Sequence, residues 1–134
     1  MRVRCVARDA LHLSPAYLDR RSSLTSETIF PLTVGREYAV YSIFIRSAGC
    51  WYLVIDDNDL TYPMPYPAAL FEITNDKLGP DWRFRVTPDN VDHVAIVSFS
   101  EWAHDTHFYD KLVRRETNAM SAFEHARQLM SLSR

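Results

Sequence analysis

Glycine is scarce in this chain, which has three in 134 residues: Gly35, Gly49 and Gly79. Phosphate-binding loops need several glycines close together, because their backbone must approach the phosphates without intervening side chains. The nucleophile elbow of α/β-hydrolases, G-x-S-x-G, needs a glycine on each side of its serine. The three glycines match neither pattern, which argues against nucleotide-binding enzymes and serine hydrolases of those types.

Cysteine is equally rare, and long apolar runs are missing. Cys5 and Cys50 are the two cysteines, and they form no recognisable motif. A disulfide framework is therefore not indicated, and a reducing cytoplasm is the expected compartment. The arginine-rich N-terminal residues do not match a signal peptide. No run approaches the roughly 18 apolar residues of a membrane-spanning helix.

Neither sign of charge dominates, because the formal net charge is −2. The whole chain thus has no electrostatic bias towards nucleic acid or an anionic membrane, and neither is expected as a partner. The distribution is uneven: residues 56–110 carry eleven acids and three bases, and the other residues carry six acids and twelve bases. If the fold separates the two parts, one face is acidic; if it mixes them, the asymmetry disappears.

The length and the apolar pattern predict a single α+β domain. A chain of this size buries roughly two-thirds of its unfolded surface, which is enough for one core. We divide residues 1–134 into an N-terminal strand and loop region (1–31), a sheet core (32–98) and a helical extension (99–134). Within the first region, residues 16–20 are predicted to be helical and residues 22–28 to form a loop.

Strand signals dominate the sheet core. The run Tyr38–Ile45 is rich in aromatic and β-branched residues and predicts one strand, joined by a hairpin to a return strand at Cys50–Ile55. Further strands are predicted at Ala69–Ile73 and Val94–Val97. Trp82–Val86 alternates apolar residues with arginines, which predicts a strand with one buried and one solvated face.

Two other segments have their own signals. The prolines of Tyr62–Pro67 exclude a helix or a central strand and predict a stiff, extended loop with exposed or half-exposed tyrosines. Apolar residues at helical spacing predict a helix from Asn118 to Met130. Ser98 precedes Glu101 by three residues, the spacing of a capping box at a helix start.

Four segments resemble recurring features of small uncharacterised bacterial proteins: Phe30–Tyr41, Trp51–Asp57, Tyr66–Ile73 and Trp82–Phe84. In this order they look like an SH3-like barrel core with a C-terminal helical extension. The resemblance implies a small, bent antiparallel sheet closed as an SH3-like barrel. It also implies an immunity or accessory factor of a bacterial toxin system. It assigns no catalytic residue, and the chain lacks the acidic-aromatic signature of a peptide-binding SH3 domain.

Five residues are candidate partner contacts. Asp56, Asp57 and Asp59 form an acidic cluster at a predicted strand end, where they predict either a turn or a negative patch for a basic partner. The spacing of an EF-hand calcium loop is missing. Tyr62 and Tyr66 lie in the proline-rich segment, where they predict either interface anchors or rings folded back over the core.

A metal site is the alternative. His104, His107 and Asp110 recur every three residues, so on one helix they would share a face and offer atoms that zinc accepts. The H-E-x-x-H pattern of zinc hydrolases is missing, so a solvated helix face is the favoured interpretation.

The sequence therefore predicts a non-enzymatic protein-binding module with no cofactor and no metal, whose partner is a protein such as a basic toxin. Two alternatives stay open: a metal-dependent hydrolase that uses His104, His107 and Asp110, and a self-associating module that forms a homodimer.

Overall fold

The computed structural model describes residues 1–10, 13, 28–47, 49–59, 61–87 and 95–132. The strands in these residues are β1 (Arg2–Cys5), β2 (Glu37–Ala39), β3 (Ser42–Arg46), β4 (Gly49–Val54), β5 (Met64–Pro67), β6 (Phe71–Asn75), β7 (Trp82–Val86) and β8 (Ala95–Phe99). The helices are α1 (Ser100–Ala103), α2 (Phe108–Val113) and α3 (Thr117–Leu132). The predicted α+β class is confirmed. The helix predicted at 16–20 and most of the loop predicted at 22–28 lie outside the described residues.

The strands form two antiparallel sheets rather than one barrel. The first sheet has the order β2-β1-β6, and the second has the order β5-β4-β3-β8-β7. In the part of the chain that the structure describes, these sheets do not close into a barrel, so the expected SH3-like closure is wrong. The reason is that the N-terminal strand β1 recruits β2 and β6 into a separate sheet, which leaves β5 and β7 as the two edges of the second.

The run predicted as one strand, Tyr38–Ile45, is divided between the two sheets. The Val40 amide donates to the carbonyl of Met1 at 3.0 Å, beside the first sheet. The Tyr41 amide donates to the carbonyl of Leu53 at 2.9 Å, in the second. The chain therefore changes sheets between these two residues. The predicted hairpin is confirmed, because β3 and β4 pair in register from Ser42 opposite Leu53 to Arg46 opposite Gly49.

The proline-rich segment forms a strand where an extended loop was expected. β5 pairs with β4, and Pro65 and Pro67 lie opposite Leu53 and Trp51. Proline has no N–H to donate and is tolerated at a sheet edge, which is where β5 lies. Tyr66 is buried in this strand, with 6% of its surface exposed.

β7 is a strand as predicted, but its apolar face is only partly buried. Trp82 is 9% exposed, whereas Phe84 is 64% and Val86 66% exposed. β7 is an edge strand, and α1 packs against it. The apolar face of β7 is therefore buried at Trp82 and exposed further along the strand, so the prediction of one buried face is wrong.

The C-terminal helix is confirmed with slightly wider bounds, and it buries Ala119, Phe123 and Ala126. The capping box is wrong, because Ser98 lies inside β8 and its hydroxyl donates to the carbonyl of Tyr41 at 2.9 Å. No helix in the described residues is both long enough and apolar enough to cross a membrane.

The core is built from aromatic contacts that join its layers. Phe71 of the first sheet lies with its ring centre 6.0 Å from that of Tyr52 in the second. The Tyr41 ring lies 5.2 Å from Phe123 of α3. Trp102 of α1 is 2% exposed and contacts four other rings. Those rings are Phe44, Phe99, Phe108 and Tyr109.

Candidate binding surface at the acidic turn

The acidic cluster forms a tight turn directly after β4. The amide of Asn58 donates to a carboxylate oxygen of Asp56 at 2.9 Å, and the amide of Asp59 donates to the Asp56 carbonyl at 3.0 Å. Asp59 has φ 53°, in the left-handed region that aspartate tolerates better than most residues. The turn predicted for these residues is therefore present, and Asp56 organises it.

Asp56 and Tyr66 form a buried pair beneath this turn. Asp56 is 4% and Tyr66 6% exposed, and the Tyr66 hydroxyl donates to the second carboxylate oxygen of Asp56. Burial, followed by the hydrogen bond to Asp56, raises the pKa of the Tyr66 phenol far above its ordinary value. The phenol therefore keeps its proton and remains a donor to the carboxylate.

Asp57 ties the turn to the segment before β2. Its carboxylate accepts hydrogen bonds from the Thr33 hydroxyl and the Tyr38 hydroxyl, each at 2.6 Å, and from Arg36 at 2.9 Å. Its amide donates to the carbonyl of Pro31 at 2.9 Å. Burial acts to raise the pKa of Asp57, but the donors Thr33, Tyr38 and Arg36 outweigh it, so the pKa is lowered.

The stability that Asp57 contributes is expected to depend on pH. A carboxyl with a lower pKa in the folded state stabilises the fold above its unfolded value, about 3.9, and loses that effect as the pH falls through the folded value. The Asp57→Asn variant should lose about 1–2 kcal/mol at neutral pH, a figure reduced because the side chain is 27% exposed.

Urea unfolding at neutral and acidic pH checks this prediction. The difference between the parent chain and Asp57→Asn should shrink on acidification. Asp76→Asn, which changes an exposed acid with no ion pair in the described residues, serves as the control and should change little at either pH. A difference for Asp57→Asn that stays constant down to about pH 2 would contradict the pKa argument.

Tyr62 follows the turn and is half-buried. The next residue, Pro63, accepts a hydrogen bond from the Tyr109 hydroxyl at 2.8 Å, so α2 is fastened to the segment that carries Tyr62. Burial raises the pKa of the Tyr109 phenol far above its ordinary value, so it remains a donor. The turn is thus anchored on one side by the segment before β2 and on the other by α2.

The structure sorts the five predicted contact residues into two groups. Asp56 and Tyr66 are buried against each other and support the turn from below. Asp57, Asp59 and Tyr62 retain exposed surface, and we call them the acidic turn surface. The supporting donors Thr33, Arg36 and Tyr38 were missed, because no local pattern marks a residue whose partner lies about twenty positions further along the chain.

The predicted histidine cluster does not lie on one helix. α1 ends at Ala103 and α2 begins at Phe108, so His104 and His107 fall between them and Asp110 belongs to α2. The His104 ring nitrogen lies 2.9 Å from the Ser100 carbonyl oxygen. In the residues that the structure describes, no three or more His, Cys, Asp or Glu side chains come together in a metal-binding arrangement.

Comparisons with protein-family models, curated proteins and solved structures give no match to this chain.

Proposed function

We propose that this chain is a non-enzymatic protein-binding module that contacts a basic protein through the acidic turn surface. The observation that carries the proposal is that the turn is fixed before any partner arrives. Asp56 and Tyr66 hold it from below, and Thr33, Arg36 and Tyr38 hold Asp57 at its side. A surface that is already ordered loses little conformational entropy on binding, which favours affinity.

The charge and the aromatic ring of this surface have separate roles in binding. Arg36 offsets the charge of Asp57, whereas Asp59 has no ion-pair partner among the described residues. Asp59 therefore supplies the attraction towards a basic partner, which speeds encounter. Tyr62 supplies a ring with few rotatable bonds, a frequent anchor in protein interfaces. A basic toxin that this chain neutralises is the partner that we favour.

The test compares capture of partners from a lysate of the source organism by the immobilised full chain and by two double variants. Asp59→Asn/Tyr62→Ala removes the charge and the ring. Glu101→Gln/Leu132→Ala removes an exposed acid and an exposed apolar side chain elsewhere. We expect the parent and the control to retain the same basic protein, and the first variant to bind it about 30-fold more weakly, which corresponds to roughly 2 kcal/mol.

Binding should also weaken as salt is raised, because exposed charges are screened. Equal capture by Asp59→Asn/Tyr62→Ala and the parent would overturn the proposal, and so would an affinity that is insensitive to salt.

A further inference from the structure

A cavity of about 170 Å³ lies where the C-terminal helix meets the first sheet, and none of the acidic turn residues lines it. Arg2 and Ala39 contribute from the first sheet, Arg127 and Met130 from α3. The segment after β6 closes another side with Lys77. Residues from the two ends and the middle of the sequence thus meet around one space.

Three basic residues, Arg2, Lys77 and Arg127, line this cavity, and its lining contains no acidic residue. The ion pairs that these arginines make are long: Arg2 to Glu37 at 3.6 Å and Arg127 to Glu124 at 3.8 Å. Lys77 makes no ion pair within the described parts of the chain. Their charge is therefore only partly neutralised, and such clusters in a concave site attract anions.

One of the cations, Arg127, is also held in place by its neighbours. The Arg127 guanidinium lies 5.9 Å from the centres of the Tyr41 and Phe123 rings, within the range of a cation–π contact. The Lys77 amide donates to the side-chain oxygen of Asn75 at 2.9 Å. At Gly79, a Cβ atom would collide with the Trp82 indole, so the backbone there approaches that ring directly. The backbone on both sides of Lys77 is thus held, and the lysine itself is exposed.

We propose that this cavity binds a small organic phosphate. A phosphate monoester carries between about 1.5 and 2 negative charges at neutral pH, which matches a site with several cations better than a carboxylate does. The lining also offers Tyr41, Leu78 and Met130 to the organic part. The volume of about 170 Å³ is below the roughly 300 Å³ of pockets for larger ligands, which sets the size class.

The test is titration of the full chain with phenyl phosphate, inorganic phosphate and benzoate at constant ionic strength, followed by amide chemical shifts and calorimetry. The test variant is Lys77→Gln/Arg127→Gln. The control is Arg114→Gln, which removes a positive charge from a residue outside the lining. Circular dichroism confirms that each variant is folded. Lys77→Gln alone removes no described ion pair and serves where the double variant does not fold.

Phenyl phosphate should saturate the parent with a dissociation constant of about 1 mM or lower, shifting the amides around Tyr41, Lys77 and Leu78. Inorganic phosphate should bind more weakly because it lacks the organic part. Benzoate should bind more weakly because it lacks the phosphate group. Lys77→Gln/Arg127→Gln should weaken phenyl phosphate about tenfold or more, and Lys77→Gln alone should weaken it in the same direction. Arg114→Gln should have no effect.

Three results would overturn the proposal: no saturable shifts in the parent, benzoate binding as tightly as phenyl phosphate, or equal weakening by Arg114→Gln. None of these results bears on the acidic turn surface, so this proposal and the proposed function fail independently.

Discussion

Replacing Trp102 with alanine is expected to lower the free energy of unfolding by about 3–5 kcal/mol, as truncation of a fully buried aromatic residue does. Trp102 is 2% exposed, and its ring stacks on Tyr109 at 5.7 Å with an angle of 12° between planes. It also contacts Phe44 of β3 and Phe108 of α2. Removal would leave a cavity at the point where the second sheet meets two helices.

Urea unfolding followed by circular dichroism measures this effect, with two further variants beside it. Trp102→Phe keeps a ring and should lose distinctly less than Trp102→Ala. Phe84→Ala removes an aromatic ring that is 64% exposed and should lose no more than about 0.5 kcal/mol. A loss below about 1 kcal/mol for Trp102→Ala would contradict the central position of this residue in the core.

The sequence predicted most strands but not the way they divide into sheets, and the segment around Val40 shows why. Buried and part-buried residues alternate without interruption from Tyr38 to Phe44. The period of two is a property of the local backbone and is the same on either side of a change of partner. The change depends on where β1 and β4 lie, which is information from distant parts of the chain.

The burial of a strand face was misjudged for a related reason. Alternation in β7 indicates that its apolar residues share a face, and the register confirms this, because Trp82, Phe84 and Val86 lie opposite alternate residues of β8. Whether that face is covered depends on what packs over it. At the edge of the sheet Trp82 is covered, with the Gly79 backbone close against its indole, while Phe84 and Val86 stay exposed. Periodicity gives the face, and tertiary packing decides its exposure.

The candidate site was predictable as a location but not as an arrangement. Asp and Asn after an apolar strand indicate a turn, and the turn is there. Neighbouring aspartates look equivalent in sequence. In the structure, Asp56 is buried and accepts a hydrogen bond from a tyrosine, whereas Asp57 accepts hydrogen bonds from three side chains at the surface. The cationic cavity was not predicted at all, because Arg2, Lys77 and Arg127 meet only through the tertiary fold.

Replacing Tyr66 with phenylalanine is expected to lower the free energy of unfolding by about 3 kcal/mol, although it removes a single oxygen atom. The hydroxyl is the donor to one carboxylate oxygen of Asp56, which is 4% exposed. Without that donor, the Asn58 amide is the one hydrogen-bond donor that the described residues still offer to the buried carboxylate, and an unpaired buried charge is costly.

A double-mutant cycle separates this pair from its surroundings. Asp56→Asn retains an acceptor for Asn58 and a polar partner for Tyr66, so it should lose less than Tyr66→Phe does. In the Asp56→Asn background there is no buried charge to leave unpaired, so Tyr66→Phe should lower the free energy of unfolding by clearly less. The difference gives a coupling energy of about 1 kcal/mol or more.

Tyr62→Phe, whose hydroxyl has no hydrogen-bond partner in the described residues, is the control and should lose no more than about 0.5 kcal/mol. Equal losses for Tyr62→Phe and Tyr66→Phe, or losses that simply add in the double variant, would show that the turn does not depend on the buried pair. The contacts of Asp57 alone would then have to hold the acidic turn surface in place.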